Sequence, residues 1–140
     1  MKKVLLFFII LVCLPISVDA KCYYFKSYHL YTCEEDKYDP SGLQYTDAVV
    51  DINEVKKIIR LSLYDTGERK WYSFNFKIEE KMEVDQFKKN VDAYLVTNNV
   101  NEKSYVFLDH NVDGLYIDIN YFSLGGVNVN CWMSGAYKVQ

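Results

Sequence analysis

Leu115-Tyr116-Ile117-Asp118-Ile119-Asn120-Tyr121-Phe122, then Gly125-Gly126, then Val127-Asn128-Val129-Asn130-Cys131-Trp132-Met133 is the stretch that decides the fold. In the first run Leu115, Ile117, Ile119 and Tyr121 alternate with Tyr116, Asp118, Asn120 and Phe122. In the second, Val127, Val129, Cys131 and Met133 alternate with Asn128, Asn130, Trp132 and Ser134. A period of two sends one set of side chains to a core and the other to water, the pattern of a half-buried strand. Glycines between two such runs supply the positive φ of a tight hairpin. The stretch predicts an antiparallel pair.

The same pattern continues upstream. Across residues 70–79, Tyr72, Phe74, Phe76 and Ile78 alternate with Ser73, Asn75, Lys77 and Glu79. Asp65-Thr66-Gly67-Glu68 separates that run from residues 57–64, and Asn111-Val112-Asp113-Gly114 separates residues 104–108 from 115–122. Both are turn chemistry, so each predicts a hairpin. With residues 22–32 and 93–97 added, seven to nine strands are expected. The fold class is all-β, an antiparallel meander forming a small sandwich or barrel.

Two segments also fit short helices. Asp51 and Glu54 form a cap-like pair, with Val55, Ile58 and Ile59 at helical spacing. The β-branched residues and Leu61-Ser62-Leu63-Tyr64 favour a strand from about Lys57 instead. Residues 85–90 fit one helical turn with Phe87 and Val91 turned inward. Residues 34–44 carry three consecutive acids and Asp39-Pro40-Ser41-Gly42, and read as a surface loop.

The first twenty residues speak of address. Lys2 and Lys3 precede an apolar run from Val4 to Leu14, Pro15 breaks it, and Val18-Asp19-Ala20 places small residues before Lys21. That is a secretory signal peptide over residues 1–20, leaving residues 21–140 as a single β-rich domain. The run is shorter than the ~20 apolar residues of a membrane span. The expected location is secreted, or periplasmic if the source is bacterial. The whole chain carries a net charge of −3. Removing Lys2, Lys3 and Asp19 makes it one unit more acidic, which argues against nucleic acid or an anionic membrane as partner.

After residue 20 remain all 13 tyrosines, Trp71 and Trp132. Tyrosine suits a half-wet sheet surface, so most of these serve the β framework. Trp71, Trp132 and Tyr116 are the candidates for ligand contact, since exposed aromatics anchor partners. Cys22, Cys33 and Cys131 also remain. An odd count in an exported chain predicts one internal disulfide and one free thiol. Cys22–Cys33, opposed across a hairpin at Ser27-Tyr28, is the preferred pairing. Joining Cys131 to either N-terminal cysteine is the alternative.

Asp109-His110-Asn111-Val112-Asp113-Gly114 resembles the start of an EF-hand-type calcium loop. The resemblance makes Asp109, Asn111 and Asp113 ligands. It stops at the twelfth position, where Asn120 stands in place of a bidentate Glu, and strand-like sequence flanks the loop. A polar hairpin turn with Gly114 at positive φ explains the same residues without metal, so no cofactor is expected. No nucleophile elbow, zinc-protease motif, phosphate loop or Cys-x-x-Cys occurs, and no catalytic residue is assigned. A Cys–His site would have to draw on Cys33 or Cys131 with His29 or His110.

The expected product is an exported β domain with a binding or structural role. Its partner would be a protein or a glycan, with inhibition of a secreted enzyme as one form of that role. One alternative is a calycin-like barrel holding a small apolar ligand. Another is an enzyme, marked by His110 clustered with Asp109, Asp113 and a free cysteine.

Overall fold

The computed structural model describes residues 20–83, 90–111 and 113–139. The signal peptide expected at 1–20 and the helical turn expected within 85–90 lie outside the described residues, apart from their ends at Ala20 and Asn90. The strands are β1 (Ala20–Phe25), β2 (Tyr28–Tyr31), β3 (Leu43–Gln44), β4 (Ala48–Asn53), β5 (Ile58–Asp65) and β6 (Lys70–Met82). They continue with β7 (Val91–Thr97), β8 (Lys103–Asp109), β9 (Tyr116–Leu124), β10 (Val127–Ser134) and β11 (Lys138–Val139). From β4 to β10 each strand pairs antiparallel with the next, the expected meander.

The three expected hairpins all form. Asp65 Oδ1 accepts from the Gly67 and Glu68 amides at 2.8 and 3.2 Å and shapes the β5–β6 turn. Gly125 and Gly126, both at positive φ, make the two-residue β9–β10 turn. Gly114, at φ +77°, ends the β8–β9 turn. The helix-like spacing at 51–60 is a hairpin instead. Its Asn53 Oδ1 accepts from the Lys56 amide at 3.0 Å, and the strand resumes at Ile58. Among the described residues the helical piece is one 3-10 turn, Pro40–Gly42, inside the expected loop.

The meander's two ends meet. Only Lys26 and Ser27 separate β1 from β2, yet β1 pairs with β4 and β2 with β10. Past Ser134 the chain runs on into β11, which pairs back onto β1. The partner pairs Leu30↔Cys131 and Tyr24↔Lys138 belong to antiparallel registers that differ by a single residue. So β1–β2 and β10–β11 are two long bent strands zipped together. With β4 to β9 they make an eight-stranded up-and-down barrel, and β3 pairs with the outer side of β2. Eight strands leave an interior that side chains fill. Phe122 of β9 meets Phe74 and Phe76 of β6 across it, with ring centroids 4.8 and 5.8 Å apart. Phe25, Val50, Ile59, Leu61, Val96, Val106 and Ile119 share that core.

This closure corrects the disulfide expectation. A hairpin at Ser27-Tyr28 would have opposed Cys22 and Cys33. Because β1 runs on into β2, the two lie toward opposite ends of one extended stretch, eleven residues apart at ~3.3 Å per residue, too far for a disulfide. Cys22, Cys33 and Cys131 are all free thiols.

The interior set is corrected at Val127, which is exposed at the β9–β10 turn, and in β9. Ile117 and Ile119 point inward as expected, but so does Phe122, whereas Tyr121 does not. A bulge at Tyr121, φ +59°, opposes two residues of β9 to one of β10. An extra residue reverses the in–out order beyond it. Two asparagines hold the bulge. Asn130 Oδ1 accepts from the Tyr121 amide at 2.7 Å, and Asn98 Nδ2 donates to the Tyr121 carbonyl at 2.8 Å.

Candidate functional site at the barrel mouth

One end of the barrel gathers the start of β1, the β4–β5 turn, the end of β6, the start of β7 and the end of β8. A pocket of about 320 Å³ opens there. Tyr23, Ile52, Tyr94 and Leu108, all inward-facing and at most 5% exposed, form its floor. Lys21, Glu54, Val55, Lys81 and Asp92 form its wall and rim. An apolar floor with a few convergent polar groups is the usual make-up of a small-ligand site.

A second bulge builds the wall. Between β6 and β7 the register shifts at Glu79, with Ile78 opposite Val96 but Glu80 opposite Leu95. The shift reverses the facing of β6, so Lys81 comes opposite Tyr94 on the pocket side instead of pointing outward.

The polar groups form a chain. Tyr94 donates its hydroxyl proton to Glu54 Oε1 at 2.6 Å, and Lys81 Nζ lies 3.0 Å from the same oxygen. Lys81 also approaches Asp92 at 3.8 Å, and His110 Nε2 lies 2.9 Å from Asp92 Oδ2. The Tyr94 hydroxyl and the Lys81 ammonium hold the Glu54 carboxyl below its usual pKa. Burial, followed by the bond to Glu54, pushes Tyr94 well above the usual phenol range. Burial also raises Tyr23, helped by the nearby charges of Asp92 and Glu54. The Tyr23 hydroxyl has no hydrogen-bond partner among the described residues, nor has the Lys21 ammonium.

The sequence marked none of these residues as a pocket, and Glu54 and Val55 read as part of a helix start. Strand-end alternation marks Tyr23 and Tyr94 only as core. Glu54, Lys81 and Asp92 come from three separate segments that closure brings together. The enzyme alternative called for His110 beside Asp109, Asp113 and a thiol. Its side-chain partner is Asp92 of β7, which lies opposite Leu108 and is reached diagonally from just past the end of β8.

The aromatic candidates fall in two places outside the pocket. Trp132 and Tyr116 lie together on the outer face of β10 and β9, with ring centroids 5.7 Å apart. The 33–42 loop covers them. Trp132 Nε1 donates to the Lys37 carbonyl at 2.9 Å, and its ring stacks on His29 and meets Tyr38. Lys37 Nζ sits 2.9 Å from Asp118 and over the Tyr116 ring. Burial of the Lys37 ammonium opposes its charge, but hydrogen bonds with Tyr116 and Asp118 outweigh that and its pKa rises. Burial pushes Tyr116 up to about 12. Trp71, 49% exposed, lies apart on β6 and packs on Tyr64.

The Asp109–Gly114 turn is held from within. Asp109 Oδ1 accepts from the Asn111 amide at 2.9 Å. Among the described residues no three of His, Cys, Asp and Glu gather as a metal site. Cys131 faces the core, and burial drives its thiol pKa far up, which suppresses the thiolate a nucleophile needs. Compared with known proteins, the chain matches no family model, no curated protein and no solved structure.

Proposed function

We propose that this chain is an exported small-ligand carrier whose binding site is the barrel mouth. The reading follows the calycin-like alternative. An eight-stranded up-and-down barrel is the architecture through which such proteins take ligands at one open end, and this is an argument from fold analogy. The observation that carries it is the pocket itself, with buried Tyr23, Ile52, Tyr94 and Leu108 as floor and a ring of charged groups above. The filled interior beyond Phe76 and Phe122 limits the ligand to the mouth. A methylene takes roughly the volume of a water, ~30 Å³, so the pocket suits on the order of ten heavy atoms.

A second reading keeps the protein or glycan partner of an exposed aromatic face. Trp71 favours it, being open to solvent beside Tyr64. Trp132 and Tyr116 do not, because the 33–42 loop occupies their face.

Titrating octanol into isotopically labelled protein separates the readings. Saturable amide shifts clustered at Tyr23, Ile52, Tyr94 and Leu108 are expected. No saturable shift, or shifts centred elsewhere, would overturn the mouth as the binding site.

A further inference from the structure

The pocket's hydrogen-bonding capacity is lopsided. Its two carboxylates are already engaged. Glu54 takes Tyr94 and Lys81, and Asp92 takes His110 with Lys81 close by. What remains uncommitted is a pair of donors. Tyr23 is 5% exposed and lines the pocket, and its hydroxyl has no partner among the described residues. Lys21 stands at the rim two residues before it, also without a hydrogen-bond partner there. The Tyr23 hydroxyl opens on the pocket, so a ligand acceptor can take its hydrogen bond without displacing a protein partner.

We infer that the mouth takes a short amphiphilic carboxylate, with its head on Tyr23 Oη and Lys21 Nζ and its tail on Ile52 and Leu108. The inference rests on the reading of the mouth as a small-ligand site and adds the head-group chemistry. Charge agrees with it. Lys21 and Lys81 balance Glu54 and Asp92, so the pocket carries no excess of negative charge against an anion. Processing before Lys21 would add an α-ammonium at the same rim, largely protonated at neutral pH because such groups titrate near ~8. An amine head finds the opposite situation, since Lys81 already occupies the position between the two carboxylates. Octanoate, with ten heavy atoms, matches the volume.

The test uses the chain beginning at Lys21 and calorimetric titration with octanoate, octanol and octylamine. Octanoate should bind about tenfold or more tightly than either analogue, the scale of a charge-assisted hydrogen bond. Tyr23→Phe and Lys21→Ala should each weaken octanoate by about five- to tenfold and octanol by clearly less, with an unchanged thermal unfolding midpoint showing that the variants are folded. Equal binding of octanol or octylamine would overturn the carboxylate assignment while the mouth remains a site. So would octanoate binding that ignores both substitutions. Failure of all three compounds to bind would overturn the mouth reading and this inference together.

Discussion

Gly114 is held to glycine by two separate constraints. Its φ of +77° is left-handed, and a Cβ there would stand 2.8 Å from the Gly135 Cα, a backbone atom that cannot swing aside. Gly125 has the first constraint alone, at φ +59° with open space around it. Gly114→Ala should therefore cost about 2 kcal/mol or more, against about 1 kcal/mol for Gly125→Ala. Urea unfolding midpoints of the two variants check this, and equal losses would remove the packing argument. The need for glycine at 114 was legible in the Asp-Gly turn signal. The contact with Gly135 was not, because twenty-one positions separate the two along the chain. Tyr121 gives the reverse lesson. Nothing local marks a tyrosine for φ +59°, and the conformation depends on Asn130 and Asn98 reaching its backbone from other segments.

At the scale of elements, alternation identified the strands and the two bulges decided which way their ends face. Period-2 reading fails beyond a bulge, since one extra residue reverses every side chain after it. That is why Phe122 was assigned to water and Lys81 drew no notice. β4 was hidden for a different reason, because Asp51 and Glu54 imitate a helix cap. The 33–42 loop was legible as a loop, but its anchoring by Trp132 was not. The indole bond to the Lys37 carbonyl and the ring contacts with His29, Tyr38 and Tyr116 hold it down. Trp132→Ala should destabilise by about 2–3 kcal/mol, less than a fully buried Trp because this one is half-covered. It should also speed tryptic cleavage after Lys37 at least severalfold. Unchanged cleavage would mean that the loop holds without the indole. Trp132→Phe, which keeps a ring and loses the N–H, should cost only about 1 kcal/mol.

For the whole molecule, the mouth links separate segments through charge, and pH reports on that link. Glu54 is more acidic folded than unfolded, because Tyr94 and Lys81 hydrogen-bond its charged form. A depressed carboxyl stabilises the fold above its unfolded pKa, near the ordinary 4.5, and that contribution is lost as pH falls through the lower folded value. Glu54→Gln should thus be slightly less stable than the parent at pH 7, by under ~1 kcal/mol because the group is half-exposed and screened. The gap should close below about pH 4. A constant gap from pH 7 to 3 would show that Glu54 acts by packing alone. By itself the sequence determined the all-β class, the antiparallel order of the meander and its hairpin turns. Those rest on neighbours a few residues apart, where side-chain period and glycine conformation decide the outcome. Only the tertiary structure decided that the meander closes, that Cys22 and Cys33 stand apart, and that Lys21, Tyr23, Glu54, Lys81, Asp92 and Tyr94 share one pocket. Each depends on the pairing of β1–β2 with β10–β11 or on a shifted register. The closing pairings join residues about a hundred positions apart, and the pocket's bonds join residues 27 and 40 apart, so neither leaves a local pattern in the chain.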